Sequence, residues 1–192
     1  MPIKSSRSMA IALSLLAALA LSWGTPAGAA DAGAGYRASF LADFERSTQK
    51  IFDLAEAIPA DKFGWRPVEG VRTVSEVLMH VAGANFFIPS GLGTAPPEGI
   101  GRDLEKTVTE KSAAIAKLRE SIAHVRQAAE KEQDFDREIE LFGRKMTARD
   151  AFMILAGHSH EHLGQLIAYA RSAGVVPPWS QPAPMKAADS GE

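Results

Sequence analysis

Between Tyr36 and Ile58 the apolar residues return at threes and fours: Phe40, Phe44, Ile51, Leu54 and Ile58, with Thr48 in the same series. That rhythm keeps one side of a helix apolar and predicts a first amphipathic helix. Pro59-Ala60-Asp61-Lys62 ends it and leads into Phe63-Gly64-Trp65-Arg66-Pro67, a connector whose aromatics cover one end of a core. Trp65 reads first as packing and second as a substrate contact. Thr73 followed by Glu76 is a capping-box pattern, so a second helix starts there and stops before Pro89. Within it Val77, His80, Val81 and Ala84 share one face, which places His80 toward a core.

Residues 89–102 carry three prolines and four glycines, far more than an antiparallel helix turn needs. Such a loop either spans a bundle lengthwise, making helices two and three parallel, or folds over a site as a lid. Asp103 or Thr107 caps the third helix, whose Val108, Ile115, Leu118, Ile122, Val125 and Ala129 keep close to a heptad. His124 falls between these positions and is expected in solvent. From Phe135 to Met146 the pattern changes to Ile139 and Leu141 alternating with charges, and Phe142-Gly143-Arg144 suits the turn of a short hairpin. Thr147 followed by Asp150 opens the fourth helix, which runs to about Ala173 before Gly174 and Pro177-Pro178 stop it. Four amphipathic helices with one minor hairpin predict an all-α four-helix bundle.

Two end segments stand apart from this domain. Lys4 and Arg7 precede an apolar run from about Met9 to Trp23, followed by Ala27-Gly28-Ala29-Ala30. This is the three-part pattern of a secretory signal over residues 1–30, with the mature chain starting near Ala30 or Asp31. A retained membrane anchor is the alternative, although the run is short for a span of about 20 residues. The domain then occupies residues 31–178, and 179–192, rich in Pro, Ala and Ser, is expected to be a mobile tail. The expected location is periplasmic or secreted, with no membrane contact after signal removal.

The chain of 192 residues is 46% hydrophobic and 23% charged, as for one globular domain. Without Lys4 and Arg7 it carries 19 basic and 23 acidic residues, a net charge of −4, and no basic cluster that would suit nucleic acid. Cysteine is absent. That excludes disulfides, a cysteine nucleophile, a CxxC redox pair and thiolate metal ligands.

The chemistry concentrates in Gly157-His158-Ser159-His160-Glu161-His162-Leu163-Gly164-Gln165. At about 100° per residue, His158 and His162 lie about 40° apart on the last helix, with Glu161 and Gln165 beside them. The sector also holds Ile154, Leu155 and Tyr169, so two imidazoles sit on a stripe made for burial, where an unpartnered one is costly. His160 points away and is expected to be exposed. The letters also resemble a nucleophile elbow, but Glu161 replaces its second glycine and no buried strand precedes it. A zinc-peptidase HExxH starting at His160 fails because position five is Gly164. Two readings of His80, His158 and His162 remain: three separately hydrogen-bonded core histidines, or one shared divalent metal. Three nitrogen ligands would leave positions for water or substrate, as catalytic sites do.

His80 in a second helix, His158-x-x-x-His162-x-Gly164-Gln165 in a fourth, Phe63-x-Trp65-Arg66-Pro67 and the ending Gly174-Val175-Val176-Pro177-Pro178 together resemble the DinB-like (DinB/YfiT) metal-binding bundle family. The likeness covers about residues 36–178. It implies an up-down-down-up bundle, a divalent ion such as zinc or nickel on His80, His158 and His162, and a homodimer. Some members resemble enzymes that join low-molecular-weight thiols to electrophiles, or amide hydrolases and isomerases acting on thiol adducts. An export signal argues against a thiol cosubstrate, because reduced thiol pools are mainly cytosolic.

The leading expectation is therefore a metal-dependent enzyme, hydrolase or thiol transferase, acting on an unknown small molecule. Glu161 and Gln165 are its candidate catalytic or orienting residues, Glu161 being equally well explained as a solvated charge. The alternatives are a non-enzymatic protein binding metal or a small ligand, and a dimerising bundle with a vestigial site.

Overall fold

A computed structural model describes residues 27–181. The expected signal lies outside the described residues, except that Ala27–Ala30 open the first helix. Helix α1 spans Ala27–Ala57 and so starts before the Tyr36 at which the apolar rhythm begins. After a 3-10 turn at Ala60–Lys62, α2 spans Val74–Phe87. Its capping box forms as the sequence predicts: Glu76 N donates to Thr73 Oγ1 at 3.2 Å and Thr73 N donates to Glu76 Oε2 at 2.7 Å. The connector is pinned to this start by Val74 N donating to Trp65 O at 3.1 Å and Ser75 N to Phe63 O at 3.0 Å.

The third helix is divided. A single turn, α3, spans Leu104–Thr107, and the long helix α4 spans Lys111–Lys131. Between them Val108 takes φ −116° and ψ 87°. Thr107-Val108-Thr109 is a β-branched run with little helix preference, so the break falls there. Strands β1 (Glu138–Leu141) and β2 (Arg144–Thr147) pair antiparallel with Leu141 opposite Arg144. The expected hairpin is thus present, and Ile139 and Leu141 are its buried side. Gly91 lets it dock closely, since a Cβ there would stand 3.1 Å from Leu141 Cδ1. Helix α5, Ala148–Ser172, begins with a second capping box, Thr147 with Asp150. The chain is thus mostly helical: five helices and one small two-stranded sheet among the described residues.

The core has two lobes. One gathers Ile51, Leu54, Leu78, Leu118 and Leu166. The other is built on aromatics, with Phe152 at ring-centroid distances of 4.8 Å from Phe40 and 5.4 Å from Phe135. Polar contacts tie the helices. Ser47 and Ser159 hydroxyls meet at 2.7 Å, Lys111 Nζ donates to the carbonyls of Glu56 and Ile58 at 2.7 and 2.8 Å, and Asn85 Nδ2 donates to Ser121 Oγ at 3.1 Å. No described helix is long and apolar enough to cross a membrane.

His124 corrects an expectation. It is buried, not solvated, with its ring 5.7 Å from that of Phe86 and its Nε2 without a hydrogen-bond partner among the described residues. The loop after α2 is the reason: Ile88, Pro89, Leu92 and Thr94 are buried, so this half of the loop is part of the core and not a detached lid. Of the expected mobile tail only 179–181 are described; Pro178–Ser180 form a 3-10 turn with Lys50 Nζ 5.4 Å from the Trp179 ring.

Candidate metal centre

His80 stands in the middle of α2, and His158 and His162 one turn apart on α5. The three rings converge, with centroids 5.0 Å apart for His80 and His158, 4.8 Å for His80 and His162, and 4.4 Å for His158 and His162. Each offers one ring nitrogen, and these nitrogens all lie within 4.8 Å of one another. Zinc–nitrogen bonds of about 2.0–2.1 Å put tetrahedral neighbours about 3.4 Å apart, so nitrogens at the upper end of this separation would have to approach by about 1.4 Å to share one ion. Three neutral imidazoles suit a borderline divalent cation such as zinc or nickel.

The outward nitrogens show why the free ones face each other. His80 Nδ1 lies 2.9 Å from Glu105 Oε1, and a carboxylate only accepts, so Nδ1 carries the proton and Nε2 keeps its lone pair. His162 Nδ1 donates to Gln165 Oε1 at 2.8 Å, with the same consequence. Each partner is itself held. Arg72 Nε donates to Glu105 Oε2 at 2.8 Å, while Gln165 Nε2 donates to Tyr169 Oη at 3.0 Å. Tyr169 in turn meets Trp65 edge-on at 5.5 Å, the packing role first expected for that tryptophan.

Electrostatics favours the neutral form of His158 and His80. Burial, then the neighbouring His162, His80 and Arg72, pushes His158 down to about 4. Burial likewise lowers His80, against the opposing pull of Glu105. Burial would raise the Glu105 carboxyl, but hydrogen bonds from Arg72 and His80 outweigh it and hold the group below the ordinary carboxylate range. Neutral imidazole is the form that ligates metal.

The other sequence candidates separate. His160 is exposed, as expected, and its Nε2 lies 2.9 Å from Asp43 Oδ2. Glu161 is exposed, and the side chains hydrogen-bonded to the cluster are instead Glu105, on His80, and Gln165, on His162. Glu105 escaped the sequence reading because it lies on the separate turn α3, and one acidic residue in a charged stretch gives no signal of its own. Gln165, beside His158 and His162 on the helical wheel, does touch one of them, its Oε1 accepting from His162 Nδ1.

A cavity of about 420 Å³ opens beside the cluster, lined by His80, His158 and Glu105 and by the apolar side chains of Met79, Phe87 and Ile154. Arg66, Arg72, Glu76 and Gln165 line a more polar cleft that shares Glu105.

Comparison with known proteins matches residues 43–166 to the DinB superfamily. The uncharacterized protein YjoA of Bacillus subtilis (strain 168) is 31% identical over 135 residues, covering 64% of this chain and 80% of YjoA. Among solved structures, a DinB-like protein from Bacillus cereus ATCC 10987 aligns with a TM-score of 0.64 at 22% identity, over 72% of this chain and 93% of that one. The structure of YjoA from Bacillus subtilis aligns with a TM-score of 0.56 at 26% identity, over 76% and 99%.

Proposed function

The chain belongs to the DinB superfamily, and on that premise we propose that it is an exported, metal-dependent enzyme of hydrolase or thiol-transferase type. The observation that carries this reading is the convergence of the three donor nitrogens within 4.8 Å, with two of the three residues, His80 and His158, lining a ligand-sized cavity. When bound there, a divalent ion supplies Lewis acidity and the capacity to make a water or a thiol nucleophilic near neutral pH. His80, His158 and His162 hold it, and as neutral ligands they leave its charge uncompensated for an anionic substrate group. Glu105 and Gln165 fix two of the rings, which is the usual way that outer partners tune such a site. Glu105, through Oε1 on His80, is better placed than Glu161 to support proton movement at the cluster.

The reading includes the up-down-down-up order of the long helices. Support comes from contacts that pair the start of α1 with the start of α5, through Tyr36 Oη donating to Arg149 O at 2.9 Å, and with the end of α4, through Arg37 Nε donating to Ala129 O at 2.9 Å. It also includes a homodimer, cleavage near Ala30 or Asp31, and zinc or nickel as the ion.

The test is elemental analysis of the protein purified without chelator, paired with turnover of amide and thiol-adduct panels. About one ion per chain is expected, with turnover abolished in His158→Ala. Metal retained without turnover on either panel would replace the enzyme with a binding protein, and absence of metal would leave an inert scaffold.

A further inference from the structure

Three features of the cavity beside His80 and His158 point to what it holds. Phe142 is the first. It occupies the hairpin tip with φ 55°, the only residue other than glycine with positive φ among the described residues, and Gly143 follows at φ 69°. A two-residue turn with both centres left-handed favours Asn-Gly or Asp-Gly, so an aromatic there is held against its conformational preference. It is also 68% exposed, yet it lines the cavity. Among the described residues the ring belongs to neither lobe of the core.

Gly83 is the second. It lies one helical turn after His80 on α2 and lines the same cavity, and a Cβ built there meets no heavy atom within 4 Å. The missing side chain therefore leaves space. Arg102 is the third. Its guanidinium stands 4.4 Å from the Phe87 ring centroid at the cavity wall and makes no ion pair among the described residues. The acid in the same cavity, Glu105, is already engaged by Arg72 and His80.

We propose that this cavity binds a small organic anion with an aromatic or branched apolar body: Phe142 covers the body, Gly83 leaves room for it, and Arg102 takes its carboxylate. One flank of the bound body then lies against His80 and His158. As an assignment of substrate class this rests on the function proposed above, but the recognition itself uses no metal. Apolar walls with a few polar groups fixing orientation are the usual composition of such sites.

The test is isothermal titration calorimetry of 4-phenylbutyrate, and of its neutral amide 4-phenylbutanamide, into the full mature chain, both EDTA-stripped and zinc-loaded. Binding of the carboxylate by stripped protein is expected, with Gly83→Leu weakening both probes about tenfold or more by filling the space. Arg102→Gln should weaken the carboxylate about three- to fivefold and leave the amide unchanged. Phe142→Asn gives a readout that a structural role would not: asparagine tolerates the left-handed turn, so the variant should melt higher and bind both probes more weakly. No carboxylate binding by stripped protein, affinity unmoved in Gly83→Leu and Phe142→Asn, or equal losses of both probes in Arg102→Gln would each overturn the proposal. Zinc stoichiometry measured on the same samples reports separately on the metal reading, since carboxylate binding by stripped protein survives its failure.

Discussion

Glu105 Oε1 lies 2.9 Å from His80 Nδ1, so a carboxylate on a single helical turn sets the tautomer of an imidazole on the neighbouring long helix. Its other oxygen accepts from Arg72 Nε at 2.8 Å, which fixes the carboxylate in turn. Glu105→Ala should lower zinc affinity about 10- to 100-fold while leaving the helical content unchanged. Competition with a chromophoric chelator measures this. An unchanged affinity would mean that His80 is oriented without it.

Gln165 does for His162 what Glu105 does for His80, but as a neutral group. Gln165→Leu removes the acceptor of the 2.8 Å bond and should weaken zinc binding in the same direction by about tenfold. Tyr169→Phe removes only the group that holds Gln165, so a smaller loss is expected. The same chelator competition orders the two variants.

Acid should destabilise the metal-free protein through His158. Its value in the folded chain, about 4, lies below the ordinary 6.5, so the unfolded chain takes up the proton first as pH falls. Stability is therefore expected to drop from about pH 6.5 down to about pH 4 and to lose no more from this group below that. His158→Ala should flatten that part of the curve. Urea denaturation across the range, with EDTA present, checks it.

A second acid-sensitive element holds the hairpin. The Glu132 side chain is 5% exposed and pairs with Arg137 Nη2 at 2.7 Å, while Arg137 Nη2 also donates to Leu92 O at 3.0 Å. Burial would raise Glu132, but bonds from Arg137 and the backbone of Asp134 and Gln133 hold it below its ordinary value. Its contribution is present above the unfolded value and is lost as pH falls through the folded one. Arg137→Met should cost about 1–2 kcal/mol at pH 7, discounted because the guanidinium is partly in solvent. The difference from the unchanged protein should shrink at pH 3.

Most of the fold was legible because its signals are local. Thr73 with Glu76 and Thr147 with Asp150 each form the cap that their spacing announces, and Phe142-Gly143 turns the hairpin. The i,i+4 pair His158 and His162 and the inward face of His80 likewise follow from periodicity alone. What was not legible depends on contacts between distant segments. The burial of His124 depends on where the loop after Phe87 packs, and the role of Glu105 on a break at Val108 that swings one turn of helix toward Arg72 and His80. Glu161 looked suitable on a helical wheel, but a wheel gives direction without the neighbour that fills it.

The most direct test is an anomalous-diffraction map from crystals grown with zinc, recorded on both sides of the zinc absorption edge. One peak within about 2.0–2.1 Å of a ring nitrogen of each of His80, His158 and His162 is expected. Density elsewhere, or none between the three rings, would contradict it.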